Sequence, residues 1–228
     1  MIDDLYNPLD KLNLAKSIEL ELLKQPATKL ANTIGIKGAG VYVIYYIGDF
    51  SDYAPISRDN QGGNLTHPIY VGKAIPKGGR KGGLSTDAAK SKALADRLGQ
   101  HAQSIDECVN LSLDHFFERH LVVDDIWIPL GENMLIETFK PVWNRVIDGF
   151  GNKDPGRRRA TQYKSPWDVL HPGRKFAEKL ADSMLTPKIL SQRIQDYFAG
   201  RPLAKLPKAV VHQQQEAAEA DESEDSMG

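Results

Sequence analysis

The sequence predicts an α+β fold in which a small sheet of three strands is flanked by helices. Three segments predict the strands. Residues 40–48 are β-branched and aromatic throughout and are bounded by glycines, which is typical of a buried central strand. Residues 68–73 and a stretch within residues 115–123 have a similar composition. Apolar residues at helical spacing before and after these segments predict the helices.

The helices are predicted from apolar spacing and from proline and threonine signals at their ends. A helix or helix pair at the N-terminus carries Leu12 to Leu23, stops at Pro26 and serves packing or dimer contact. A second helix presents Leu94, Leu98 and Ile105 on one face. The remaining helices are predicted at residues 132–139 (ending near Pro141), 174–184 and 187–198, the last with Thr186 as its cap.

We expect one domain with extensions, because 228 residues with 41% apolar content can bury one sizeable core. The predicted division is an N-terminal helical extension at 1–35, a core at 36–150 with loop insertions at 49–66 and 76–92, a C-terminal extension with helices and DNA contacts at 151–200, and an acidic, disordered tail at 201–228.

The net charge of −1 understates how basic the folded part is. Residues 213–228 contain six acidic and no basic residues, so the remainder has 29 basic and 24 acidic side chains and a charge of +5. Such a body is compatible with a phosphate-backbone partner. The acidic start and the absence of a long apolar run predict a cytoplasmic protein without a membrane anchor. Cys108, the single cysteine, is expected in the core.

Several polar residues are candidates for chemistry, each with an ordinary structural alternative. Arg97 and His101 lie one helical turn apart on one face, where a solvated surface pair is the alternative. Tyr42 and Tyr70 lie within strands, where they could serve packing only, although glycine at 72 leaves a gap beside Tyr70. Glu132 opens a predicted helix, where it is either a magnesium ligand or a complement to the helix dipole.

In their order along the chain, these residues resemble the motifs of the GIY-YIG nuclease superfamily. The match runs through Gly40-Val41-Tyr42, Tyr70-Val71-Gly72-Lys73, Arg97 with His101, Glu132 and Pro141-x-Trp143-Asn144. Residues 143–152 and 165–179 are similar to the C-terminal part of the type II restriction endonucleases of this superfamily, a group that includes enzymes cutting CCGCGG. The resemblance implies a mainly antiparallel sheet.

The resemblance also implies a role for each matching residue. Glu132 binds one catalytic Mg²⁺, for which Mn²⁺ could substitute, and Arg97 stabilises charge on the scissile phosphate. Tyr42 is the general base, and it needs help because an unperturbed tyrosine has a pKa near 10. The metal-bound water, Lys73, His101 or the phosphate itself could give that help. Tyr70 orients water or phosphate, and Asn144 fixes the site from behind. The roles of Tyr42, Tyr70 and His101 could be interchanged.

Two basic segments are candidates for DNA contact, because cationic side chains bind phosphates and arginine pairs bidentately with guanine. Their alternative is a solvated flexible loop. A palindromic target also implies a homodimer on DNA, with one active site for each strand. The candidate residues are Lys77, Arg80, Lys81, Arg157, Arg158 and Arg159.

The predicted function is a Mg²⁺-dependent type II restriction endonuclease that cuts both strands of duplex DNA at a short palindromic, G·C-rich site and leaves 5′-phosphate and 3′-hydroxyl ends. Alternatives are a repair or homing-type GIY-YIG endonuclease and a DNA-binding protein without catalysis. A structural protein, the third alternative, would show no salt-sensitive binding to duplex DNA. No phosphate-binding loop motif is present, so no nucleotide cofactor is expected.

Overall fold

A computed structural model describes residues 7, 10–76, 88–154 and 162–212. Its strands form one antiparallel sheet in the order β1-β4-β2-β3. The strands are β1 (Thr28–Lys29), β2 (Gly40–Tyr46), β3 (Pro68–Ala74) and β4 (Phe116–Val122), and the α-helices are α1 (Lys11–Lys24), α2 (Ala54–Asn60), α3 (Ala93–Asp106), α4 (Ile128–Phe139), α5 (Val142–Arg145), α6 (Pro166–Leu170) and α7 (Pro187–Phe198).

The α+β class and the three predicted strands are confirmed, but the prediction of a three-stranded sheet is wrong because β1 adds a fourth. β1 has only two residues, which is too short for a periodic pattern to show in the sequence. Tertiary contacts define it: Thr28 and Lys29 pair with β4, and the Thr28 hydroxyl donates to Glu118 Oε1 at 2.7 Å. β3 lies at the other edge of the sheet.

Both faces of the central strand β2 are covered, which explains why its sequence is apolar throughout. Alternate side chains point to opposite faces. Tyr42, Ile44 and Tyr46 belong to a core with α3, α5 and the C-terminal segment. Val41, Val43 and Tyr45 belong to a second core with α1 and α4. Cys108 is buried beside the first core, as predicted.

The helix that carries Glu132 begins earlier than predicted. It was expected to open at Glu132 after Gly131, but α4 begins at Ile128, with proline in its first turn. Gly131 does not break the helix: a Cβ there would lie 3.3 Å from both Ile18 of α1 and Val41 of β2, so glycine allows close packing. Glu132 therefore lies in the second turn, where the helix dipole gives a carboxylate less stabilisation.

Residues 49–66, predicted as a surface loop insertion, are mainly helical. A 3-10 helix at Ser51–Tyr53 leads into α2. Tyr53 and Asn60 are fully buried, and Asn60 Nδ2 donates to the carbonyl oxygens of Tyr46 and His67. The abundant Asp, Ser and Gly suggested a loop, whereas the buried Tyr53, Ile56 and Asn60 determine the structure.

In the C-terminal extension one predicted helix is confirmed and one is wrong. α7 begins after Thr186, whose side chain accepts from the Ile189 amide. Residues 174–184 contain only a 3-10 turn at Ala177–Lys179, because Arg174 is buried and its side chain bonds to backbone oxygens elsewhere. Trp167 and Ile194 lie in the same core as Tyr42, so this extension is an integral part of the domain.

The predicted acidic tail is ordered in its first part. Leu203, Leu206 and Val210 pack against the core, so residues 201–212 are not a free segment. The predictions for Lys77, Arg80, Lys81, residues 157–159 and the remainder of the tail lie outside the described residues. Among the residues that the structure describes, no helix is long and apolar enough to cross a membrane.

Candidate active site

Asn144 fixes the outer edge of β3. The Val71 amide donates to Asn144 Oδ1 and Asn144 Nδ2 donates to the Val71 carbonyl, both at 2.9 Å. The amide side chain thus satisfies the two backbone groups that an edge strand leaves unpaired at this position. Because Val71 lies between Tyr70 and Gly72, this pairing fixes the strand that carries the predicted site residues.

We predict that Asn144→Ala lowers the free energy of unfolding by about 2 kcal/mol, because it leaves two partly buried backbone groups without partners. Urea unfolding followed by tryptophan fluorescence measures the change. Asn64→Ala, at an exposed asparagine, is the matched control and should shift stability by less than about 0.5 kcal/mol. Equal stability of the two variants would contradict a fixing role for Asn144.

Tyr42 crosses over Gly72 to reach His101. Gly72 is its partner on the neighbouring strand, and a Cβ there would lie 2.3 Å from the Tyr42 hydroxyl oxygen. The gap expected at Gly72 is therefore filled by the Tyr42 ring. The Tyr42 hydroxyl lies 2.6 Å from His101 Nε2 on α3. Burial, together with the charges of Arg97 and Arg174, holds the pKa of His101 well below its usual range, so the imidazole is neutral.

Tyr70 lies beside this pair, nearer the surface. Its ring centroid is 5.2 Å from that of His101 and 6.3 Å from that of Tyr42. Burial of the hydroxyl raises the pKa of Tyr70 well above 10, Tyr42 and Glu132 raise it further, and Arg97 opposes the shift. Tyr70 therefore keeps its proton at neutral pH and is available as a hydrogen-bond donor.

Arg97 lies one turn before His101 on α3 and reaches a loop at residues 149–152. Its Nη2 donates to the Gly151 carbonyl at 2.9 Å and its Nη1 to Gln100 Oε1 at 3.2 Å. Phe150 of the same loop stacks on the His101 ring, with centroids 4.4 Å apart. Arg97 is partly exposed, so its guanidinium can also meet an anion from solvent.

Lys73 and Glu132 form an ion pair on the other face of β3. The Lys73 Nζ lies 2.8 Å from Glu132 Oε2, and the two side chains are 24% and 15% exposed. Lys73 and Arg97 both line a cleft of about 400 Å³ beyond the end of β3, here called the Lys73 cleft. Groups from the two faces of the sheet therefore meet at one edge.

The structure brings together all seven predicted catalytic residues around β3: Tyr42, Tyr70, Lys73, Arg97, His101, Glu132 and Asn144. Sequence reasoning missed Phe150 and Gly151, which contact His101 and Arg97, and Arg174, which holds their loop. The glycines within residues 148–152 indicate a loop, but the residues that contact this loop are distant in sequence.

Within the described ranges, no three His, Cys, Asp or Glu side chains lie close enough together to hold a metal ion. Glu132 offers a partly exposed carboxylate at the edge of the site. A single carboxylate fits Mg²⁺, which keeps several waters and completes its shell with substrate phosphate, and does not fit a site built wholly from protein ligands.

Comparison with known families agrees with this geometry. The model of the family described as the Eco29kI GIY-YIG domain matches residues 35–198, which include β2, β3, α3, α4 and both C-terminal helices. No curated protein matches the chain. A family match over most of the chain shows membership. The chain therefore belongs to the Eco29kI GIY-YIG domain family, and it is a site-specific restriction endonuclease, a hydrolase that binds and cuts DNA.

Proposed function

We propose that the chain is a Mg²⁺-dependent type II restriction endonuclease that cuts both strands of a palindromic, G·C-rich site and leaves 5′-phosphate and 3′-hydroxyl ends. One observation carries the chemistry: a neutral histidine lies 2.6 Å from the hydroxyl of a tyrosine at the edge where an arginine and a carboxylate also meet. Phosphodiester hydrolysis needs a proton acceptor, a cation for the phosphate and a metal ligand.

Glu132 would hold the metal ion. When bound, Mg²⁺ would supply positive charge against the oxygens of the scissile phosphate. Lys73 neutralises the Glu132 carboxylate in the free protein through the 2.8 Å ion pair, so it stabilises the charged group until substrate arrives. Once the carboxylate has another cationic partner, the Lys73 ammonium is available to a phosphate oxygen in the Lys73 cleft.

Tyr42 and His101 would act as a coupled proton acceptor. Water loses a proton to the Tyr42 oxygen as it attacks phosphorus, and the phenol proton moves to His101 Nε2. The bond from phosphorus to the 3′ oxygen breaks, and that oxygen takes a proton from solvent. His101 is neutral and can therefore receive this proton, while burial and the nearby arginines lower its pKa and make it a weak base. Because Tyr42 is fully buried in the free protein, the proposal requires water to reach its hydroxyl when DNA is bound.

Tyr70 and Arg97 would hold the phosphate. Tyr70 retains its proton, because burial raises its pKa, and therefore donates a hydrogen bond instead of accepting a proton. Arg97 is held through both terminal nitrogens, by the Gly151 carbonyl and by Gln100 Oε1, and its partly exposed guanidinium would bind an incoming phosphate from this fixed position. The negative charge that develops on the phosphate oxygens would be stabilised by this preorganised arrangement.

The DNA backbone would pass along the Lys73 cleft. Lys73, Lys92, Arg97 and Lys153 line it, with Asp96 as the acidic residue among its lining. This excess of positive charge fits phosphates on either side of the scissile bond. Lys77, Arg80, Lys81 and Arg157 to Arg159 would contact DNA and supply base readout, with arginine on guanine.

We predict that Lys92→Ala and Lys153→Ala each weaken binding of duplex DNA and each reduce the slope of log K against log salt by about 0.9, because each removes one phosphate contact. Fluorescence anisotropy in Ca²⁺ over a series of salt concentrations measures both. Lys16→Ala, on the exposed side of α1, is the control and should leave the slope unchanged. A wild-type slope in both cleft variants would place the DNA path elsewhere.

Digestion of a mapped plasmid with Mg²⁺, followed by sequencing of the fragment ends, tests the proposed target and chemistry. The similarity of residues 143–152 and 165–179 to enzymes that cut CCGCGG supports that hexamer as the first target to try. We expect defined ends bearing 5′-phosphates at one palindromic site. Fragments without defined ends would reject site specificity, and cuts at branched or damaged DNA would favour a repair enzyme.

A palindromic site cut in both strands would require two active sites, so we propose a homodimer on DNA. α1 or the C-terminal helix α7 would supply the interface. Sedimentation of the protein with a specific duplex should give two chains per duplex. One chain per duplex with full double-strand cleavage would contradict the dimer.

A further inference from the structure

The loop at residues 149–152 contacts both Arg97 and His101 of α3. Its Gly151 carbonyl accepts from Arg97, and its Phe150 ring stacks on His101 at 4.4 Å, with an angle of 18° between the planes. The loop is neither a strand nor a helix, and within it one turn bond joins the Asn152 amide to the Gly149 carbonyl. Contacts from outside the loop must therefore hold its backbone in place.

Arg174 supplies those contacts. Its Nη2 donates to the Gly149 carbonyl at 2.8 Å, and its Nη1 donates to the carbonyls of Phe150 and Asn152 at 3.0 and 3.3 Å. One guanidinium therefore holds three of the four carbonyl groups of the loop, while Arg97 takes the fourth, that of Gly151. Only a planar fork of several donors can serve acceptors spread in this way.

Arg174 is itself fixed on every side. Its side chain is 1% exposed, and its Nε donates to Asp168 Oδ1 at 2.7 Å. Its guanidinium packs over the rings of Trp167 and Phe176, with its central carbon at 4.6 and 4.7 Å from their centroids. The Ser165 hydroxyl donates to the second Asp168 oxygen at 2.6 Å, so the carboxylate cannot rotate away. A buried charge pair with full hydrogen bonding is a rigid support.

We propose that Arg174 is a positioning residue for cleavage: through the carbonyls of residues 149–152 it sets the guanidinium of Arg97 and the imidazole of His101 for the scissile phosphate. This inference rests on the proposed function of Arg97 and His101. The Arg174 side chain is 1% exposed and bonds to the loop carbonyls, so its effect is transmitted by the loop. A displacement of reacting groups by about 1 Å can lower a rate by about 100-fold.

Arg174→Lys tests the proposal, because lysine keeps the charge beside Asp168 but cannot hold three carbonyls and pack over two rings. We expect its single-turnover cleavage rate constant, at saturating enzyme, to fall by about 100-fold, while the Kd for duplex DNA in Ca²⁺ changes far less. Leu190→Ala is the matched control: Leu190 is fully buried on α7, so the variant should lower the Tm yet keep the wild-type rate constant at a temperature where it is folded.

A second measurement separates positioning from general destabilisation. The Phe150 ring shifts the NMR resonances of the His101 ring protons, which a His101→Gln variant assigns. In Arg174→Lys we expect those resonances to move towards the positions of an unstacked histidine, and in Leu190→Ala to stay unchanged. If Arg174→Lys does not fold, Ser165→Ala is the alternative test, because Ser165 holds the carboxylate that pairs with Arg174. We then expect a smaller change, in the same direction, in both the rate constant and the His101 resonances.

Wild-type His101 resonances in Arg174→Lys, or in Ser165→Ala if Arg174→Lys does not fold, overturn the proposal whether or not the protein cuts DNA. A rate constant for Arg174→Lys equal to that of Leu190→Ala also overturns it. If the wild-type protein shows no cleavage but the resonances shift as expected, the proposed function fails and the structural coupling of Arg174 to His101 stands.

Discussion

Replacement of Glu132 by glutamine should lower the Mg²⁺-dependent cleavage rate constant by about 10³-fold, or about 4 kcal/mol in barrier height. Glutamine has nearly the same size as glutamate but carries no charge, so the proposed metal site loses its protein carboxylate. Lys73 simultaneously loses the ion-pair partner that lies 2.8 Å away. Single-turnover cleavage of a plasmid measures the rate constant, and binding of DNA without divalent metal should persist.

Glu137→Gln is the matched control for that measurement. Glu137 lies on the same helix, is 66% exposed and pairs with Arg145 at 2.6 Å. A surface ion pair of this kind contributes little, so cleavage should proceed at the wild-type rate. An unchanged cleavage rate constant in Glu132→Gln would refute the role of Glu132 as a metal ligand.

The second large effect is expected from Tyr42→Phe, which should lower the cleavage rate constant by about 10² to 10⁴-fold. Phenylalanine fills the space over Gly72 but has no hydroxyl for water or for His101 Nε2. Tyr70→Phe should lower the rate constant less, because Tyr70 is proposed to donate a hydrogen bond to the phosphate, a role that Arg97 shares. Single-turnover rates for the two variants, measured on one substrate, compare the roles directly.

Tyr45→Phe provides the control for loss of a buried tyrosine hydroxyl. Tyr45 lies on the same strand, points to the opposite face and accepts a hydrogen bond from Arg119 at 2.9 Å. We expect a loss of about 1 kcal/mol in stability and no loss of cleavage at a temperature where the variant is folded. A larger loss in Tyr70→Phe than in Tyr42→Phe would exchange the proposed roles of the two tyrosines.

The parts of the fold that were predictable are those with a strong local pattern. β2 and α7 follow from buried β-branched residues and from a threonine cap before a proline. The start of α4 was missed because Gly131 was interpreted as a boundary, whereas close contact with α1 and β2 requires glycine inside the helix. The irregular structure of residues 174–184 was missed for a similar reason, because the contacts that determine it are non-local.

A family resemblance orders the candidate site residues along the chain, and the structure places these candidates around β3. Their support was not predictable. The carbonyls of Phe150 and Asn152 find their donor on Arg174, more than 20 residues later. Sequence periodicity does not predict these hydrogen bonds, because the carbonyl groups of a loop can accept from any donor that the fold brings close.

Residues 42 and 72 cannot be varied independently when the enzyme is redesigned, because the Tyr42 ring occupies the space beside Gly72. A methyl group there would overlap the Tyr42 hydroxyl and ring, and a smaller residue at 42 would relieve the overlap only by discarding the group assigned to proton transfer. Libraries that randomise β3 to alter specificity should therefore hold glycine at 72 constant.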